Sequence, residues 1–207
     1  MAISNYSELQ TFIANWSHRS DLTSVIPDLI KLAESHLNRV IRTKAQDTVS
    51  DLTADTGSRF LAFPSRMLEL CDLSIVVDGY QQQIQQIGTE SFYSLISETS
   101  GRPSAYTVRD QIEFNCIPDS AYTVKVHYYK SLDIATDTTN YVLTNYPDAY
   151  LFSTMAQVEK YTKGDPNYYI QALMEVVKTI NTNEARSKST TLVTELSGSS
   201  FDIVRGY

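Results

Sequence analysis

The segment spanning residues 25–43, VIPDLIKLAESHLNRVIRT, constrains the fold more than any other part of the chain. Ile26, Ile30, Ala33, Leu37 and Val40 step by four, three, four and three, which is one face of a 3.6-residue period. Thr23 or Ser24 is placed to cap its start. Pro27 and Asp28 suit a first turn, where a missing N–H costs nothing and a negative charge meets the positive end of the helix dipole. Arg39, Arg42 and Lys44 bring positive charge to the other end. A helix with one apolar stripe needs partners, and the chain supplies them at both ends. Residues 7–17 carry Leu9, Phe12, Ile13 and Trp16 at helical spacing, predicting a helical hairpin with Trp16 packed between the two helices and Asp21 and Thr23 marking the loop. Pro147 and Asp148 open another helix with Leu151, Met155 and Val158 on one face. Lys163-Gly164 closes it, and Asp165-Pro166 at once starts the next, which carries Tyr169, Leu173, Val176 and Ile180.

Between these helical ends the period changes. Residues 48–53 and 60–63 read as short extended pieces, broken by Asp55-Thr56-Gly57 and by Pro64. Residues 68–77 and 80–87 read as a hairpin around Asp78-Gly79, with Gly79 supplying a positive φ and Tyr80, Gln82, Ile84 and Gln86 on one side. Residues 89–96 predict one short helix capped by Thr89, with Glu90 in its first turn. Residues 101–130 predict an antiparallel meander, in which Ile112, Phe114 and Cys116 alternate with polar residues and Pro118-Asp119-Ser120 turns the chain. Tyr122, Val124, Val126 and Tyr128 then share the buried face of a strand, with Thr123, Lys125, His127 and Tyr129 opposite. The fold class expected is therefore α+β. Residues 1–44 and 141–190 form a helical bundle from two hairpins, residues 45–140 a β-rich antiparallel insertion, and residues 191–207 a flexible, extended C-terminal arm. Residues 187–200 hold eight Ser/Thr in fourteen positions without a period. The apolar tip that follows, Phe201, Ile203, Val204 and Tyr207, favours docking on a foreign surface, together with Leu192, Val193 and Leu196.

Charge narrows the function. The chain has 207 residues and a net charge of −7, and residues 45–150 hold six Lys/Arg against fourteen Asp/Glu. That acidity repels nucleic acid and excludes direct DNA recognition. Cys71 and Cys116 both lie in apolar, strand-like surroundings and read as buried small hydrophobes in a reducing compartment. The first residues lack a signal peptide's basic and apolar runs, and no stretch approaches the roughly 20 apolar residues of a membrane span. Cytoplasmic synthesis is expected, with exit only inside a larger particle.

The chemistry of catalysis has little foothold. His18, His36 and His127 lie in three different elements without metal-ligand spacing, and no Gly-rich phosphate loop or nucleophile elbow is present. No metal or cofactor is expected, and no enzyme. Glu90, Glu98 and Glu113 lie near apolar or aromatic residues and are the carboxylates from which a glycosidase pair could be drawn. Surface solvation explains them better, since most carboxylates are exposed, and Glu90 is accounted for as first-turn charge on a short helix. Tyrosine is the conspicuous side chain: nine of fourteen fall between residues 122 and 169. Its apolar face and polar tip suit protein–protein contact. Tyr150, Tyr161 and Tyr168, with Arg39 and Arg42, are the candidate subunit-interface residues.

Three stretches, in order along the chain, resemble a family of bacteriophage head-to-tail adaptor proteins, also called portal adaptors or tail accessory factors. They are IPDLIKLAESHLNRVIRT (26–43), GRPSAYTV followed by IEFNCIPDSAYTVKVHYYK (101–130), and NYPDAYLFSTMAQVEKYTKGD (145–165). Many relatives carry N-W-L-L before the Pro-Asp motif, where this chain has Asn140-Tyr141-Val142-Leu143. An aromatic–aliphatic trio is kept. Residues 68–96 and the C-terminal tail give no firm match. The resemblance implies a virion protein at the head-to-tail interface, assembled in the host cytoplasm. It implies a homo-oligomeric ring of about twelve copies under the portal, which extends the DNA channel without binding DNA specifically and presents a surface to a later tail or nozzle protein. It also implies a C-terminal arm threaded against the portal protein. Two rival readings are a peptidoglycan-degrading muramidase activity resting on Glu90, Glu98 and Glu113, and a tail completion protein that caps the tail tube.

Overall fold

A computed structural model describes residues 3–198, with side chains described up to Ser187. In chain order the elements are α1 (Tyr6–Ser17), α2 (Ile26–Val40), β1 (Asp47–Ala54), β2 (Phe60–Leu61), β3 (Met67–Val77), β4 (Tyr80–Gln83), β5 (Gln85–Gln86), α3 (Thr89–Phe92), β6 (Ala105–Val108), β7 (Ile112–Phe114), β8 (Tyr122–Lys130), α4 (Ile134–Asp137), α5 (Tyr141–Asn145), α6 (Pro147–Thr162) and α7 (Asn167–Gly198). The protein is thus mixed α+β. It divides into two compact units, residues 1–45 with 132–207, and residues 46–131.

The first unit is helical. α2 packs on α6, α6 on α7, and α1 on both α2 and α6. One apolar core joins Leu9 and Ile13 of α1, Ile26, Ile30 and Leu37 of α2, Leu151, Met155 and Val158 of α6, and Leu173 and Ile180 of α7. Every one of those positions lies on a face legible from its spacing. The ends of the helices hold the surprises. α1 is capped by Asn5, whose Oδ1 accepts from the Glu8 N–H at 3.0 Å, while Glu8 Oε2 accepts from the Ser4 N–H at 2.8 Å. This reciprocal arrangement resembles a capping box displaced by one residue. α2 has no side-chain cap: the N-cap is Val25, in αR backbone, and neither Ser24 nor Thr23 folds back onto the helix. A 3₁₀ turn over Ser20–Leu22 leads straight in, with the Val25 N–H donating to the Leu22 carbonyl at 2.8 Å, so no extended residue is left to act as a cap.

Trp16 does not pack between α1 and α2. It is 45% exposed, lies against Phe12, and turns its Nε1 toward Tyr169 Oη of α7 at 3.4 Å. α6 ends on Lys163 in the left-handed region (φ 61°), not on a left-handed glycine. At Gly164 a Cβ would stand 2.0 Å from Glu159 Oε2, so a side chain there would have to push the Glu159 carboxylate aside. α7 then starts under the Asp165 carboxylate, which accepts from the Asn167 N–H at 3.0 Å. It continues to Gly198, through a stretch whose Ser/Thr-rich composition predicted no regular structure. Once a helix is nucleated, each further residue adds one hydrogen bond, and propensity alone is a weak brake.

The second unit holds two four-stranded sheets, ordered β1-β8-β3-β4 and β2-β7-β6-β5. All pairings are antiparallel except β5 with β6. Inward side chains of both sheets, including Leu73, Ile75, Ile112, Phe114, Val124 and Val126, share one core. The β3–β4 hairpin turns on Asp78 (φ 51°) and Gly79 (φ 82°), two successive positive φ values of the kind that match strand twist. Two expectations need correction here. The strand expected over 80–87 is broken: β4 ends at Gln83, the buried Ile84 donates its N–H to Leu73 at 3.1 Å, and β5 joins the other sheet. Nor do residues 101–130 form one meander. β6 and β7 pair in one sheet, whereas β8 leaves them and inserts between β1 and β3 in the other. Alternation fixes which face of a strand is buried but carries no information on distant partners. The expected faces of β8 do hold, with Val124, Val126 and Tyr128 buried. Residues 89–96 form α3 and a 3₁₀ turn over Tyr93–Leu95, with Gly88 rather than Thr89 as N-cap. Cys116 is buried but Cys71 is exposed, beside irregular pairing of β3 with β8, so only one of the two thiols is a core residue.

Candidate interaction surfaces

His18 is the left-handed C-cap of α1, and His127 pairs with Asp47 across β8 and β1. Among the described residues no three His, Cys, Asp or Glu side chains gather as a metal would require. Glu90 is exposed in the first turn of α3. Glu98 is bound by Arg59 at 3.0 Å, and Glu113, buried on β7, lies 3.8 Å from Arg109. A depression of about 380 Å³ in the second unit is lined by Cys71, Asp72, Ile84 and Tyr106 among others, and by none of these three carboxylates. Burial pushes the Cys116 thiol above its ordinary pKa, and its Sγ points at the Gly101 carbonyl, 3.3 Å away.

Tyr150 is a core residue with 0% of its surface exposed, so it has nothing to offer a neighbouring subunit. Its hydroxyl donates to Glu34 Oε1 at 2.7 Å and accepts from Asn140 Nδ2 at 2.7 Å, and Glu34 Oε1 also accepts from the Ile134 N–H at 2.8 Å. Burial, then the Glu34 charge, hold this phenol far above its ordinary pKa. Tyr161 and Tyr168 are exposed, the latter edge-on to Tyr169. Arg39 reaches Ser35 Oγ on its own helix. The Arg42 guanidinium donates to the carbonyls of Asn38 and Ile41 at 2.7 and 2.8 Å, satisfying the C-terminus of α2. Of the tail residues, Leu192, Val193 and Leu196 fall on the α7 backbone, their side chains outside the described residues. Phe201, Ile203, Val204 and Tyr207 lie outside them entirely.

One further surface feature belongs to the helical unit. α2, α6 and α7 enclose a groove of about 810 Å³. Its floor and walls include Val40, Ala156, Ile170, Leu173, Met174 and Val177. Its edges carry Lys160, Lys178 and Arg186, with His36 alongside. No carboxylate lines it among the described residues. His36 Nδ1 is buried there without a hydrogen-bond partner, and burial, then the charges of Arg39 and Lys160, lower its pKa. Met174, 65% exposed, is the most open apolar side chain in this wall. The signal was present in α7: beside the core stripe Tyr169, Leu173, Val176 and Ile180 runs a second one, Ile170, Met174 and Val177, spaced four and three. Two adjacent stripes make a helix apolar over more of its circumference than one core contact covers. Val40, expected in the core with the rest of its stripe, faces this groove instead.

An open apolar groove on a helical unit is the kind of surface on which proteins dock. A family model described as SU10 adaptor protein matches residues 4–194, and the chain belongs to this family of phage head-to-tail adaptors. No curated protein matches it. Membership makes it a bacteriophage protein of structural type and a component of the virion. Among the described residues no helix is long and apolar enough to cross a membrane.

Proposed function

We propose that the protein forms a closed ring under the phage portal, prolongs the DNA channel and offers the next tail or nozzle protein a docking surface. The observation that carries this reading is the match to an adaptor family across residues 4–194, nearly the whole chain. Head-to-tail contacts between identical copies close into a ring when the rotation per copy is right. Such contacts need two different unfilled surfaces on one chain. The open groove of the helical unit supports that requirement, and Tyr161 and Tyr168 offer further exposed aromatic area. The acidic residues of the β-rich unit suit a conduit whose weak repulsion keeps a passing duplex from adhering.

The C-terminal residues, with Leu192, Val193, Leu196, Phe201, Ile203, Val204 and Tyr207, form the segment that engages the portal protein. Tethering to the ring raises their effective concentration at the portal. Deleting residues 187–207 should leave a folded chain, since among the described residues the apolar core reaches no further than Ile180, and should abolish capture by portal protein in a pull-down. Undiminished capture by the shortened chain refutes the role of this segment.

A further inference from the structure

Besides the groove, a second uncovered apolar surface lies in the other unit. In the turn that follows α3, Tyr93 is 53% and Leu95 47% exposed. Carboxylates flank them: Glu90 is exposed, and the Glu98 side chain is 85% exposed although it touches Arg59, itself nearly buried. The Arg109 guanidinium donates to Tyr93 Oη at 2.7 Å and so fixes the ring in place. The segment 89–98 is therefore apolar at its centre and acidic at its edges. The groove is apolar at its centre and basic at its edges, through Lys160, Lys178 and Arg186.

We infer that the groove between α2, α6 and α7 of one copy receives residues 89–98 of the next copy, with Tyr93 and Leu95 against Met174 and Val177, and Glu90 and Glu98 facing Lys160 and Lys178. This rests on the ring reading above and specifies its contact. Complementary rims set orientation and suppress wrong pairings, while the buried aromatic–aliphatic centre supplies affinity. Because the two surfaces differ, the contact is heterologous and propagates from copy to copy. It also gives a task to Glu90 and Glu98, the two exposed members of the carboxylate set that first suggested a glycosidase.

The test is disulfide trapping in the full chain. In a Cys71→Ser background, Leu95→Cys and Met174→Cys are introduced together and singly, then oxidised with the protein alone and bound to portal protein. The double variant should give a ladder of covalent multimers on a non-reducing gel, and each single variant no more than dimers. Absence of a ladder, while the Cys71→Ser parent still forms multimers by mass, overturns this contact and leaves the ring standing. A parent that stays monomeric in both states overturns the ring and the contact together. A ladder from Tyr80→Cys with Met174→Cys in place of Leu95→Cys assigns the groove to the β3–β4 hairpin tip and overturns the inference. So does faster alkylation of Met174→Cys after truncation at Gly198, which assigns it to the chain's own tail. Independently, Lys160→Glu with Lys178→Glu should weaken self-association by about tenfold or more, and Glu90→Lys with Glu98→Lys in the same chain should restore it. No restoration counts against the pairing.

Discussion

Tyr150 and Glu34 show how much a single polar contact matters inside an apolar unit. The hydroxyl is donor to a buried carboxylate and acceptor for Asn140, so removing it takes one hydrogen bond from each of two partners, while Glu34 keeps the Ile134 N–H and Asn140 the Leu143 N–H. Leaving buried polar groups unmatched costs about 1–3 kcal/mol, and Tyr150→Phe should lower stability by about that amount. In urea unfolding the midpoint falls and the slope stays constant; an unchanged midpoint shows the network to be dispensable. His36 makes a prediction of opposite character. Its folded pKa lies below the ordinary imidazole value of about 6.5, because burial and the nearby Arg39 and Lys160 disfavour the cation. The unfolded chain therefore takes up a proton first as pH falls. Stability should decline as pH drops through the ordinary imidazole range and go on declining until the lowered folded pKa is passed. His36→Gln should flatten that part of the pH–stability curve, and an unaltered curve contradicts the assignment. Neither role was visible in the sequence. In the sequence Tyr150 is one of a crowd of tyrosines, and nothing local shows that it faces Glu34 from 116 positions away.

At the scale of elements, local chemistry accounts for the helix interiors and the turns. Pro27-Asp28, Pro147-Asp148 and Asp165-Pro166 mark real helix starts, and Asp78-Gly79 marks a real hairpin. Gly79 holds φ at 82°, where a Cβ costs about 1–2 kcal/mol. Gly79→Ala should therefore destabilise the β-rich unit by that amount, read as a drop in the midpoint of its thermal unfolding; no drop shows that the turn can relax. Local sequence is silent where the deciding partner is distant. β8 alternates as expected yet pairs with β1 and β3 in place of β7, because its partners come from 47 to 82 residues away, Val76 opposite Thr123 and Asp47 opposite Tyr129. Trp16 reads as core by size and spacing, but it sits at an edge with Tyr169, where an indole can keep its N–H near a polar partner. α7 outlasts the change of composition at Ser187 because a helix, once running, is limited by cooperativity more than by the residue at hand.

The whole molecule combines two units of different kind. One is a set of helices drawn from both ends of the chain, and the other a pair of sheets carrying most of the acidity. Interleaving of this sort joins α1 and α2 to α6 and α7 in a common core, so the helical unit forms only when residues distant in sequence meet. The order of motifs along the chain identified the adaptor family, and the match over residues 4–194 establishes it. The groove was less legible: its floor is built from the second stripe of α7 together with Val40 and Ala156, and only the packed structure shows that no described helix covers them. Assembly is the central claim, and the mass of the complex formed with portal protein tests it most directly. Native mass spectrometry of the mixture should show a single species in which one portal ring carries a fixed, cyclic complement of adaptor copies. A mixture in which portal and adaptor keep their separate masses, or in which copies add without a defined limit, contradicts the account.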